Sequence, residues 1–163
     1  MSGINIAETC HVVNLMPPAD NGTAGVVCSV IDVREYSHVT IIWAHGATDA
    51  NPGDLTIEEG PDLAMTTSPT MIFKYYVEAT ADGDVLDTGP TAVVAATGID
   101  TSEITAGTNN VMYVIEMDTA ELTSGYGFLR ITRAAGGGAS LDSILVILSG
   151  ARYAGYGSPT VLA

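Results

Sequence analysis

The stretch from Glu35 to Gly46 predicts a strand with apolar side chains on both faces. In an extended chain Val39, Ile41 and Trp43 point to one side and Thr40, Ile42 and Ala44 to the other, so neither face is properly polar. A strand with two apolar faces must be covered on both sides, by a second sheet and by something else. We therefore expect this stretch to be the central strand of the protein, with the single Trp filling space between two sheets.

The rest of the chain predicts further short strands, separated by turns rich in Gly, Pro, Asn and Asp. The alternation is clearest from Thr70 to Thr80, where Lys74 and Glu78 point outward, and it recurs from Val111 to Asp118. The other expected strands share this short length: Thr9–Leu15, Val26–Val33, Leu55–Glu59, Thr91–Thr97, Gly127–Arg133 and Leu145–Tyr153. Helical periodicity is almost absent, except for one possible turn at Thr119–Leu122 capped by Asp118.

About nine strands with this spacing predict an all-β fold: a single-domain antiparallel β-sandwich, jelly-roll-like, with extended termini. The chain has 163 residues, a length that one domain with one core accommodates. We expect an N-terminal arm at residues 1–8, the sandwich domain at residues 9–153 and a C-terminal tail at residues 154–163. The start of the chain lacks the features of a secretory signal, so we expect synthesis in the cytoplasm.

The surface is expected to be poor in solvating groups, because charged residues make up only 15% of the chain against about 25% in an average soluble domain. Two explanations remain open. One is a compact β-protein with Ser, Thr and Gly on its surface. The other, which we favour, is a subunit that buries much of its outside against neighbouring proteins.

The net charge of −14 argues against nucleic acid as a partner, since phosphate binding requires Lys and Arg. The charge is unevenly distributed. Residues 49–121 contain fourteen acidic residues and one basic residue, Lys74. Residues 122–163 contain three arginines and one acidic residue, Asp142. We expect the middle of the chain to face water and the last quarter to face an acidic neighbour. No apolar run approaches the length of a membrane span.

No metal or cofactor site is expected. The two cysteines, Cys10 and Cys28, are predicted to be free thiols, and their spacing to the histidines matches no zinc pattern. His38 and His45 are seven residues apart and fall on opposite faces of one strand. The carboxylates of Asp82, Asp84 and Asp87 surround a glycine, but the loop lacks the length and the closing Glu of an EF-hand, so we interpret it as a solvated turn.

No catalytic constellation is evident, and we expect no enzyme activity. Glu58, Glu59 and Asp62 offer carboxylates of the kind that glycoside hydrolysis needs, but adjacent strand residues point to opposite faces. Ser149 lacks the flanking glycines of a nucleophile elbow, and the glycines at 136–138 are not followed by the Lys and Ser or Thr of a phosphate loop.

The tyrosines and arginines late in the chain are the candidate contact residues, because Tyr and Arg are enriched in protein interfaces. Tyr126 and Tyr153 also suit the rim of a core. Tyr156 lies in a Gly-, Ser- and Pro-containing tail, where a core role is not expected. Our interface candidates are Arg130, Arg133, Arg152, Tyr153 and Tyr156.

The order of several short stretches resembles the capsid decoration (cement) proteins of tailed bacteriophages. The resemblance is carried by stretches spread over most of the chain: residues 8–14 (ETCHVVN), 35–42 (EYSHVTII), 56–59 (TIEE), 72–74 (IFK), 113–118 (YVIEMD) and 150–153 (GARY). It implies a β-sandwich on the outside of the assembled shell, with the major capsid protein as partner and self-association, commonly as a trimer. It assigns no role to any single residue.

A shell under internal pressure is strengthened by a protein that bridges capsomers, and bridging buries area on several subunits. As a mechanism we expect residues 1–8 and 154–163 to become ordered on the capsid or on a sister subunit. The Arg-bearing strands would lie near that contact.

Two other functions remain open at this point. A host-recognition module would bind a glycan on an exposed aromatic platform, for which the candidates are Tyr36, Trp43, Tyr75, Tyr76 and Tyr156. A shell-forming jelly-roll capsid protein should be more basic toward its genome.

Overall fold

The computed structural model describes residues 5–48, 53–79, 87–93, 97–101 and 111–151. Within these ranges the chain forms, in order, α1 (Ile6–Thr9), β1 (His11–Asp20), β2 (Val26–Val27), β3 (Ile31–Asp32), β4 (Tyr36–Thr48), β5 (Leu55–Gly60), β6 (Lys74–Ala79), β7 (Asp87–Ala92), β8 (Val111–Asp118), a 3₁₀ helix (Thr119–Glu121), β9 (Phe128–Arg133) and β10 (Ser140–Ala151). None of the helices in these ranges has the length and apolarity needed to cross a bilayer.

The strands form two antiparallel sheets. The larger has six strands in the order β1-β10-β4-β8-β6-β7, and in the smaller β9 lies between β5 on one side and β2 with β3 on the other. Side chains from both sheets form one principal core. The predicted all-β sandwich is therefore confirmed, while its jelly-roll character stays a prediction.

The predicted central strand is β4, which lies between β10 and β8 in the six-stranded sheet. Val39, Ile41 and Trp43 are completely buried, as the alternation predicts. The Trp43 ring stacks on Tyr113 of β8, with 5.1 Å between ring centroids. The opposite face of β4 is only half-buried at Thr40, so the expectation that both faces are covered holds for one face alone.

Several element bounds differ from the sequence prediction. β1 continues through Pro17 and Pro18 to Asp20 instead of ending before them. It is an edge strand whose register with β10 shifts between Met16 and Ala19. Proline is tolerated there, because an edge strand with a bulge does not need every backbone N–H for pairing. The expected strand at Val26–Val33 is split into β2 and β3, whose registers on β9 differ by one residue.

The expected strand that begins at Thr70 changes sheets. The Met71 N–H donates to Ile57 O of β5, at 2.9 Å, whereas pairing with β8 begins at Tyr75. Met71 and Phe73 are buried as predicted, and Lys74 points outward. The segment before β6 therefore closes one side of the sandwich.

The terminal and helical predictions have mixed outcomes. Ile6–Thr9 form one helical turn at the end of the expected extended arm. The 3₁₀ helix lies where a turn was predicted, but the Asp118 side chain does not cap it. Residues 154–163 lie outside the described ranges.

Candidate interaction face

The outer face of the six-stranded sheet carries an apolar strip. Cross-strand pairs join Leu145 to Ile42, Ile42 to Val114 and Val114 to Tyr76, and Val12 pairs with Ile147 in the next row. The apolar strip consists of Val12, Ile42, Tyr76, Val114, Leu145 and Ile147. None of these residues is fully buried, and Val12 is 46% exposed. A sheet face open to solvent is normally polar, so this strip is unusually apolar for its exposure.

An acid–histidine cluster, consisting of His38, Glu116 and Asp118, lies beside the apolar strip on β4 and β8. His38 Nδ1 is 2.8 Å from Asp118 Oδ1, and His38 Nε2 is 2.8 Å from Glu116 Oε2. Thr40 donates a further hydrogen bond to Glu116 Oε1 at 3.3 Å. All three members of the cluster are partly open to solvent, with Asp118 the most exposed at 65% of its side chain.

The hydrogen bond to Asp118, followed by that to Glu116, raises the pKa of His38 above its ordinary value. The protonated ring donates from both nitrogens, so the two carboxylates hold the imidazolium between them. Even with His38 charged, the cluster of three residues keeps a net negative charge. Net negative charge therefore lies directly beside the apolar strip.

Ser149, His38 and Asp118 occupy one row across β10, β4 and β8, and these are the residue types of a catalytic triad. A serine nucleophile needs the far imidazole nitrogen as its base. Here that nitrogen faces Glu116 instead. The geometry is that of an ion-pair cluster in which His38 does not serve as a base for Ser149.

A cleft of about 490 Å³ lies between α1 and the outer face of the sheet. Its lining includes the apolar residues Ile6 and Ile147, the acidic residue Glu116 and Cys10. Ile6 is 47% exposed although it is a large apolar residue. The cleft therefore connects the apolar strip with the acid–histidine cluster.

Arg130, one of the predicted interface residues, lies on the outside of the smaller sheet. Its Nε donates to Glu58 Oε2 at 2.7 Å, and its Nη2 donates to Ser68 Oγ at 3.1 Å. The guanidinium is thus already paired within the chain. Its side chain remains 26% exposed, so the prediction that it contacts a neighbour stays open.

Arg133 was also predicted as an interface residue, and its position requires a correction. It is completely buried, with Nε 2.9 Å from Asp142 Oδ2, and it donates to the carbonyl oxygens of Asn21 and Ala24. It follows Leu129 and Ile131 on the inward face of β9. An arginine enclosed in this way holds the chain together from inside and offers no surface to a partner.

The other three predicted interface residues, Arg152, Tyr153 and Tyr156, lie outside the described ranges. Tyr126, which we expected either at the rim of the core or in a contact, is half-buried in the turn before β9. Of the five predicted interface residues, the structure therefore describes two, Arg130 and Arg133.

The carboxylates considered for hydrolysis are engaged separately. Glu58 faces outward and pairs with Arg130, whereas Glu59 faces inward and accepts hydrogen bonds from Thr123. Asp62 accepts a hydrogen bond from the Thr66 N–H. The structure therefore does not bring them together. Of the acidic turn near residue 84, only the backbone of Asp87 falls within the described ranges.

The cysteines are free thiols, as predicted. Burial raises the pKa of Cys28 to about 11, so this thiol behaves as a small apolar side chain. His38 and His45 lie on opposite faces of β4, also as predicted. Within the described ranges, no three His, Cys, Asp or Glu side chains are arranged to hold a metal ion.

The aromatic platform considered for glycan binding is not assembled in the described part of the chain. Trp43 is completely buried and Tyr36 is 4% exposed. Tyr75 packs against the core, and Tyr76 belongs to the apolar strip. Tyr156 lies outside the described ranges.

Sequence reasoning missed both the apolar strip and the acid–histidine cluster. The apolar second face of the central strand was recognised, but its neighbours could not be identified without the strand order. The two carboxylates beside His38 are 78 and 80 residues away along the chain. The alternation in β8, which directs Glu116 and Asp118 outward, was the only available signal.

Comparisons of the chain with protein-family models, with curated proteins and with solved structures found no significant match.

Proposed function

We propose that this chain is a structural virion protein that binds the outside of an assembled phage capsid and stabilises it by bridging capsomers. The observation that carries the proposal is the half-exposed apolar strip on the outer face of the six-stranded sheet. A rigid sandwich with one apolar outer face is suited to attachment, because it can bury a flat surface without changing its own fold.

Further support comes from the charge distribution. A net charge of −14 keeps the free protein soluble, while the apolar strip itself carries no charge. The proposal retains the predicted partners, the major capsid protein and further copies of this chain, and the virion surface as the location. The expected contact surface moves from Arg130 and Arg133 on β9 to the outer face of the six-stranded sheet, because both arginines are paired internally.

The test mixes the purified protein with immature and with expanded capsids of the phage that encodes it. We expect saturable, stoichiometric binding that favours expanded shells, and a higher temperature of shell disruption in the bound state. A mass measurement in solution gives the number of copies in the free protein. Absence of binding to either shell, or binding to cells or glycans instead, would contradict the proposal.

A further inference from the structure

We infer that the outer face of the six-stranded sheet docks onto a protein surface that is apolar at its centre and places a Lys or Arg side chain against Glu116. The identity of that surface as the capsid rests on the proposed function. The chemistry of the partner is argued from this face itself.

The size of the apolar strip indicates that it is only part of an interface. Its strands are ~4.8 Å apart and its two rows of residues ~6.8 Å apart, which gives a flat area of roughly 200 Å² for the six residues. A stable interface buries about 800 Å² on each partner. The occupant must therefore extend beyond the strip. The cleft beside α1, lined by Ile6, Ile147 and Glu116, adjoins the strip and provides that extension.

A lysine or arginine fits this cleft. Its aliphatic part can lie along Ile6 and Ile147 while its charged end reaches Glu116. Glu116 uses Oε2 for His38 and Oε1 for a long hydrogen bond from Thr40, and its side chain is still 46% exposed. Asp118 lies on the same face of β8 and adds a second carboxylate, whose side chain is 65% exposed. A cation on the partner would complement the charge of this cluster.

A second copy of this chain is a poorer occupant. In a face-to-face pair, Glu116 and Asp118 would meet either the same acids of the other copy or the uncharged strip at Val12 and Leu145. The first arrangement opposes like charges, and the second desolvates carboxylates without a partner. Each copy also has a net charge of −14, which opposes association.

The test measures binding of variants to expanded capsids at low and moderate salt. Leu145→Asp and Val12→Asp place a charge in the apolar strip, and we expect each to weaken binding by about tenfold or more. Val27→Asp is the matched control, because Val27 is 64% exposed on β2 of the other sheet. Val12 is 46% exposed on an edge strand, so Val12→Asp keeps the test informative if Leu145→Asp fails to fold.

Glu116→Gln tests the cation. We expect about fivefold weaker binding and a smaller loss of affinity with added salt, because one screened charge pair has been removed. Glu35→Gln is the control for the loss of one acidic charge elsewhere.

The outcomes separate the two proposals. If wild-type protein binds and the strip variants bind equally well, the inference is overturned while the proposed function stands. If the strip variants lose binding but Glu116→Gln binds with unchanged salt dependence, the assigned cation is wrong. A wild-type dimer that Leu145→Asp dissociates would assign the face to a second copy instead. If wild-type protein does not bind, the proposed function itself fails.

Discussion

Arg133 and Asp142 form an ion pair whose two side chains are both completely buried, with Nε 2.9 Å from Oδ2. Asn21 Nδ2 approaches the other carboxylate oxygen at 3.4 Å. Burial raises the pKa of Asp142 while the charge of Arg133 opposes that change. Arg133 also donates to the carbonyl oxygens of Asn21 and Ala24, so the pair ties the turn after β1 to β9 and β10.

Removing the charge of Arg133 should strongly destabilise the fold. Arg133→Met leaves Asp142 buried without its partner and two backbone carbonyls without their donor, so we expect a loss of about 3 to 5 kcal/mol in the free energy of unfolding. Urea denaturation measures this loss. Arg130→Met is the matched control, because that pair remains partly exposed and should cost only about 1 kcal/mol or less.

The double variant Arg133→Met/Asp142→Leu refines this prediction. An apolar pair of similar volume leaves no unpaired charge, so the double variant should be more stable than Arg133→Met alone. Equal losses for Arg133→Met and Arg130→Met would show that burial of the first pair has little energetic weight.

His45 should make the protein sensitive to acid. Burial, followed by the charge of Arg133, lowers the pKa of His45 to about 4, from an ordinary value of 6.5. Between pH 6.5 and about 4, His45 is therefore protonated in the unfolded chain but stays neutral in the folded chain. The free energy of unfolding should fall by about 1.4 kcal/mol per pH unit, reaching a total on the order of 3 kcal/mol near pH 4.

The variant His45→Leu should remove this part of the acid dependence, as measured by urea denaturation between pH 4 and 7. His38→Gln is an informative comparison because its effect has the opposite sign. The raised pKa of His38 gives stability that is complete below pH 6.5 and is lost as the pH rises through the folded value. His38→Gln should therefore alter the pH dependence only above pH 6.5. An unchanged acid dependence in His45→Leu would exclude His45 as the responsible group.

The period-two alternation correctly predicted the buried face of β4 at Val39, Ile41 and Trp43. It did not predict what a charged residue does on a buried face. Leu129, Ile131 and Arg133 follow one alternation, and all three are completely buried. The sequence interpretation placed Arg133 in a contact with a neighbouring protein because Arg is enriched in protein interfaces. Its partner, Asp142, lies on β10, which does not pair with β9. Only the packing of the two sheets brings the charges together.

The apolar strip could not be predicted from the sequence for a similar reason. Alternation within β4 and β8 identifies which residues point outward, but not which strands are neighbours. The pairing of β4 with both β10 and β8 joins Leu145, Ile42 and Val114 into one strip. Such pairings connect distant parts of the chain, so they cannot be predicted from local sequence patterns.

Glu58 and Glu59 are adjacent on β5, but they should differ in energetic importance. Glu59 is 8% exposed and accepts hydrogen bonds from the Thr123 N–H at 2.8 Å and from the Thr123 hydroxyl. Glu59→Ala leaves the Thr123 N–H without this acceptor, so we expect a loss of about 1 to 3 kcal/mol. Glu58→Ala breaks only a partly exposed pair and should cost about 1 kcal/mol or less.

Hydrogen exchange at the Thr123 amide distinguishes the two variants directly. The amide should exchange faster in Glu59→Ala and at the wild-type rate in Glu58→Ala. Faster exchange in both variants would mean that the loop responds to β5 as a whole and not to this hydrogen bond.

Gly53 and Gly125 both have a positive φ, at 92° and 88°, but their surroundings differ. Among the described residues, no atom lies within 4 Å of a Cβ added at Gly125, whereas one at Gly53 would lie 2.2 Å from Ala134 O. The neighbouring Ala134 N–H donates to Asp54 O at 2.8 Å, so the two backbone segments cannot separate without losing that bond.

Gly125→Ala should lower the free energy of unfolding only by the backbone strain, about 1 kcal/mol. Gly53→Ala adds the clash with Ala134, so we expect the free energy of unfolding to fall by about 2 to 4 kcal/mol. Urea denaturation of the two variants compares these losses, and equal values would show that the loops around Gly53 relax freely.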